Sequence, residues 1–129
     1  MTKQHISEGL KIFIREKIQT VLRLEVLLLL HYQQFRSFTV AEVANELNLE
    51  KEAARDQLTA LEAVGVVQSN GDKPRYRYDP VNASLRSMVE QLAVGYSRQR
   101  VSILSAILSK HSERTRLFAE AFQIIRRND

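Results

Sequence analysis

Apolar residues recur along the chain at helical spacing, interrupted once by a short stretch of period two, and that switch organises the reading. Leu10, Phe13, Ile14 and Ile18 mark an amphipathic helix over residues 8–17, with Lys11, Arg15 and Lys17 on its wet sides. Such a stripe predicts a helix packed over the core; a phosphate-touching or dimer-forming arm is the alternative. From Thr20 to about Gln34 the residues Val21, Leu22, Leu24 and Val26 to Leu30 leave almost no polar face, so this helix is expected to be buried on several sides. His31, close to its end, reads as a partner for the helix C-terminal dipole or as a satisfied histidine.

Residues 38–80 carry the densest signals. Thr39 followed by Glu42 is a capping-box pair and predicts a helix start. Val40, Val43, Ala44 and Leu47 form its apolar face, Asn48-Leu49 breaks the rhythm, and Leu49 is placed to plug the corner between two helices. The second helix is expected from about Glu50 to Val64, with Ala54, Leu58 and Leu61 on one side and Gly65 as the residue that ends it. Val66 to Ser69 and Arg75 to Tyr78 then alternate as β-strands around a turn at Asn70-Gly71-Asp72-Lys73-Pro74. Tyr76 and Tyr78 fall on one face of the second strand, Arg75 and Arg77 on the other. Phe38 is expected to pair with this hairpin.

Beyond Pro80, Asn82 or Ser84 caps a further helix. Leu85, Met88, Val89, Leu92 and Tyr96 form one stripe; Ile103, Leu104, Ile107 and Leu108 form another. A continuous helix over residues 82–109 is predicted, with a kink near Gly95 as the alternative. A rod of ~40 Å with two stripes asks for a second chain to cover it. That makes Leu85, Met88, Leu92, Tyr96, Ile103 and Ile107 expected dimer contacts, joined by Phe118 and Phe122 from a last amphipathic helix over residues 113–127. The basic outer face of that last helix also fits a membrane surface, but its Glu113, Glu120 and apolar stripe favour packing. Three regions result: a helical arm over 1–19, a central domain over 20–80 and a helical dimerisation region over 81–129.

Composition narrows the chemistry. There is no cysteine, hence no disulfide framework and no thiolate, which favours a cytoplasmic setting. The N-terminus lacks the apolar core of a signal peptide, and no apolar run approaches the ~18 residues of a membrane span. The four glycines form no phosphate loop, the three histidines lie far apart, and no nucleophile motif appears. Neither a metal, a cofactor nor an enzymatic activity is expected. The net charge of +4 leans mildly towards polyanions. Residues 50–65 lean the other way: Glu50, Glu52, Asp56 and Glu62 outnumber Lys51 and Arg55.

The segments TVAEVANELNL and AARDQLTALEAVGVV resemble the positioning helix, recognition helix and wing entry of winged helix-turn-helix regulators of the MarR and ArsR kind. YSRQRVSILSAILSKHSERTRLFAEAF is similar to the C-terminal extension of a group of bacterial winged-helix proteins without assigned function. The resemblance implies a mainly α fold with a small hairpin and a homodimer on double-stranded DNA. In that reading Arg55 meets a base, Lys51 a phosphate, and Thr59 lies on the outward face of the recognition helix. Thr39 offers a hydroxyl or amide to a phosphate, while Lys73, Arg75 and Arg77 track the backbone or minor groove. The residues leave competitors open: an Arg55–Glu52 pair within the helix, a charge-guarded strand edge for Arg75 and Arg77, and a protein partner docked on the acidic helix.

Overall fold

Ser7, Thr20, Thr39 and Asn82 each accept a hydrogen bond from the amide three residues on, at 2.8–3.1 Å, and each starts a helix. The computed structural model describes residues 6–108. In order these form α1 (Glu8–Phe13), which widens into a π-turn over Ile14–Ile18, then α2 (Val21–Tyr32), α3 (Val40–Leu47), α4 (Lys51–Val64), β1 (Val67–Asn70), β2 (Arg75–Tyr78), α5 (Ala83–Arg98) and α6 over residues 100–108. The π-turn leaves both Ile14 and Ile18 fully buried. It closes at Gln19, a non-glycine residue at φ 70°, whose N–H donates to the Ile14 carbonyl at 2.8 Å.

α2 is the hub, burying Leu24, Val26, Leu27, Leu28 and Leu30. α3 and α4 pack on it and on each other. Between them Asn48 turns into the left-handed region (φ 55°), and the Leu49 N–H reaches back to the Ala44 carbonyl at 2.8 Å. Leu49 itself packs on the core, as its place in the pattern predicts. Gly65 ends α4 at φ 95°, and a Cβ there would sit 3.1 Å from Val81 Cγ2, so conformation and space both select glycine.

β1 and β2 pair antiparallel, Val67 opposite Tyr78 and Asn70 opposite Arg75. Asn70 thus belongs to the ladder and not to the turn; residues 71–74 make the connection. Phe38 bridges Tyr76 on the other edge of β2 through two backbone hydrogen bonds of 2.7 and 2.8 Å. Tyr76 and Tyr78 are buried and Arg75 and Arg77 exposed, as the alternation requires.

The region beyond residue 82 departs from expectation. No continuous helix runs through 82–109. α5 stops at Gln99 (φ −135°, ψ 48°), four residues past Gly95, and α6 starts at residue 100. Gly95 is not a kink but a seat: a Cβ there would lie 3.0 Å from Ile103 Cδ1. The break turns Ile103 and Ile107 of the second stripe inward, and they end in the same core as Leu10, Val89 and Leu92. A straight rod would leave those two isoleucines in water, so burial overrides helix continuity.

Shortening Ile103 to alanine is expected to lower unfolding stability by about 2–5 kcal/mol, the usual cost of emptying a buried aliphatic site. Leu108→Ala, at an exposed position, is expected to change it by less than about 0.5 kcal/mol. Urea denaturation of the two variants checks both values.

Candidate nucleic-acid interface

The candidate interface centres on the N-terminus of α3. There the capping box is complete: Thr39 Oγ1 accepts the Glu42 amide at 3.1 Å, and Glu42 Oε1 accepts the Thr39 amide at 2.9 Å. The same carboxylate receives two guanidinium groups, Arg75 Nη2 at 3.2 Å and Arg36 Nη2 at 3.3 Å. Arg75 also donates to Ser37, through Nε to Oγ at 3.0 Å and through Nη2 to the carbonyl at 3.2 Å. Arg36 stacks over the Phe38 ring at 4.1 Å. One acidic side chain therefore fastens the hairpin to the start of the helix-turn-helix.

The sequence-predicted residues divide into engaged and open ones. Thr39 has its hydroxyl in the cap. Arg55 is drawn to Glu52, Nη1 to Oε1 at 2.6 Å, one turn away on an exposed face. Arg75 is pinned by Ser37 and Glu42, and Arg77 reaches Asp79 Oδ2 at 3.4 Å. Lys51, Thr59 and Lys73 are exposed. Lys51, Arg55 and Thr59 recur every four residues and form one outward stripe of α4.

The apolar residues expected at a seam between chains are largely taken up within this chain. Leu92, Ile103 and Ile107 are fully buried, Leu85, Met88 and Tyr96 are half-buried against the core, and Arg100 lies over the Tyr96 ring at 4.5 Å. Phe118 and Phe122 lie outside the described residues. Of the second stripe, Leu108 stays exposed and Leu104 half-buried.

Long-range partners escaped sequence reasoning. Arg23 Nε donates to Gln57 Oε1 at 3.0 Å, tying α2 to α4. Glu62 accepts the Ser69 amide at 3.0 Å, which occupies an outward N–H of β1. His31 is buried, with Nε2 3.0 Å from Glu90 Oε1 and its ring edge-on to Tyr78 at 5.0 Å. Burial pushes the Tyr78 hydroxyl above its ordinary pKa, Glu90 adds to the shift and Arg86 opposes it. These pairs are 34, 7 and 59 residues apart, and no local spacing rule announces them.

The fold is a winged helix: mostly helical, with a two-stranded antiparallel hairpin after a helix-turn-helix. No family model and no curated protein sequence matches the chain at a significant level. Among solved structures, the transcriptional regulator Tm0710 from Thermotoga maritima is similar in fold, with 17% identity and a TM-score of 0.52 over 95% of this chain and 86% of that one. The ST1889 protein from the thermoacidophilic archaeon Sulfolobus tokodaii aligns over 71% of this chain and 96% of its own, with 19% identity and a TM-score of 0.49. No helix among the described residues is long and apolar enough to cross a membrane.

The Thr39 amide lowers the Glu42 carboxyl below its ordinary pKa; partial desolvation opposes this, and Arg36, the Thr39 side chain and Arg75 reinforce it. A carboxyl that is more acidic folded than unfolded stabilises the fold above its unfolded pKa of about 4.3, and that contribution disappears as pH falls through the lower folded value. Glu42→Gln is therefore expected to flatten the decline of the urea midpoint between about pH 5 and pH 3, relative to the unaltered chain.

Proposed function

We propose that this chain is a DNA-binding transcriptional regulator acting as a homodimer, with α4 in the major groove and the hairpin against the backbone or minor groove. The observation that carries the reading is the outward stripe Lys51, Arg55 and Thr59 on the second helix of a helix-turn-helix whose opposite side, Ala54, Leu58 and Leu61, is sealed into the core. That stripe is the part of the helix left for a partner. The related fold of a protein titled a transcriptional regulator agrees with this reading. In it, Arg55 leaves Glu52 for a base edge. The exchange costs little, because exposed pairs of this kind are worth about 0–1 kcal/mol. Lys51, Lys73 and Arg77 meet phosphates. Arg75 is assigned a different duty from the one its sequence position implies: it sets the angle of the wing. A dimer would use outward apolar residues such as Val94 and Val101. The three-part division at residues 19 and 80, the cytoplasmic setting and the absence of enzymatic activity belong to the same proposal.

A second reading is favoured by one observation. Glu50, Glu52 and Asp56 flank the stripe, and Glu52 already neutralises Arg55. A helix so balanced suits an adaptor that docks a basic protein surface. Titrating random-sequence duplex DNA at low and moderate salt separates the two. The regulator binds at low salt and loses affinity steeply as salt rises; Lys73→Ala combined with Arg77→Ala reduces the log–log salt slope by about 2. Absence of duplex binding at low salt sinks the DNA reading in favour of the adaptor.

A further inference from the structure

The hairpin has an outward face whose two carboxamides, with the aromatic ring beside them, the duplex reading leaves unused. Gln68 stands opposite Arg77 and Asn70 opposite Arg75, so two carboxamides and two guanidinium groups share that face. Beside it, in the link from α2 to α3, stands Phe35. Its exposure is complete, at 100%, although the neighbouring Phe38 is fully buried. Phe35, Ser37, Gln68, Ser69, Asn70, Arg75 and Arg77 line one cleft of about 280 Å³. Its lining holds two arginines and no carboxylate, in contrast to the acid-flanked face of α4.

We infer that this cleft seats an unpaired nucleotide of a nucleic acid strand, with the base stacked on Phe35 and the phosphate against Arg75 and Arg77. Four features of the cleft fit that occupant together. A bare aromatic ring offers a stacking surface to any base. The charged groups of the lining are the two arginines, each also paired with a carboxylate outside it, Glu42 and Asp79, so a phosphate would take their remaining donors. Arg75 Nη1 and Arg77 Nε and Nη1 make no hydrogen bond among the described residues and remain available as donors. Asn70 and Gln68 supply both donors and acceptors for a base edge, with one proton of Gln68 Nε2 already given to the Asp79 carbonyl at 3.3 Å. The volume of about 280 Å³ lies just below the roughly 300–1,000 Å³ of small-molecule sites, on the scale of a single base. A paired base in a duplex has both faces covered by its neighbours, so the occupant is a single strand, an overhang or an extruded base. The anchoring of Arg75 by Ser37 and Glu42 keeps the floor in place before the strand arrives. This site goes beyond the duplex reading and needs no contact from α4.

The chain has no tryptophan, so Phe35→Trp introduces a single indole reporter. A mixed-sequence single strand of roughly 10 nucleotides, within the span of known single-strand sites, is titrated into this variant, alongside an abasic strand of equal length and a blunt duplex. Expected results are quenching of the indole by the base-bearing strand and not by the abasic one, and an approximately tenfold loss of single-strand affinity in Phe35→Ala, measured by anisotropy at low salt. Since Phe35 is fully exposed, its removal leaves the thermal midpoint and the blunt-duplex affinity unchanged. Equal binding of the abasic strand, or an unaltered single-strand affinity in Phe35→Ala, overturns the inference. Single-strand binding without duplex binding upholds it and removes the regulator reading; duplex binding without a Phe35 effect does the reverse; failure of both strands to bind removes both.

Discussion

The position of the wing depends on one carboxylate. Glu42 closes the capping box of α3 and at the same time takes the guanidinium groups of Arg36 and Arg75. Each contact by itself is an ordinary hydrogen bond, part-buried for Thr39 and Arg36 and exposed for Arg75. Their value lies in convergence: helix start, interhelical link and hairpin meet at two oxygen atoms, so none shifts without the others. Beneath them the Phe38–Tyr76 bridge adds a pair of backbone hydrogen bonds and buries both rings. Polar clamp and apolar floor address the same joint from opposite sides, and the floor contributes most of the energy because it removes aromatic surface from water.

That arrangement explains how much of the molecule is legible in the sequence. Thr39–Glu42, Asn48-Leu49, Gly65 and the Tyr/Arg alternation of β2 are local signals, each set by backbone conformation or periodicity, and each stands where the pattern places it. Gly95 misleads because its sequence context speaks of helix flexibility, whereas its role is to admit Ile103 from a helix that has turned back. Only the folded path reveals that approach. The partners of Arg75 and Arg55 show the same division. Glu52 is one turn from Arg55 and was visible as a competitor; Glu42 is 33 residues from Arg75 and was not.

The buried His31 illustrates a further limit. Its position at the end of a leucine-rich helix gave it a bland assignment, a helix-end partner or a satisfied side chain. One nitrogen does have a partner, Glu90 on α5, but Nδ1 has none among the described residues, and neither does the Tyr78 hydroxyl beside it. Both atoms lie where α2, β2 and α5 meet.

The acidity of α4 then takes on a definite meaning. A helix whose arginine is held by a glutamate presents little net field to a polyanion at a distance, so long-range attraction has to come from elsewhere on the surface. The hairpin is suited to that part, because the exposed Lys73 extends from an element whose base is clamped by Arg75. In the proposed complex, approach is governed by the wing and choice by α4: Arg55 gives up Glu52 only where a base edge offers at least as good an acceptor, and Glu52 must then find a donor of its own. In the proposed complex the Glu52–Arg55 pair would act as a filter, making indiscriminate phosphate contact less rewarding than a matched site and so using competition to gain selectivity rather than affinity.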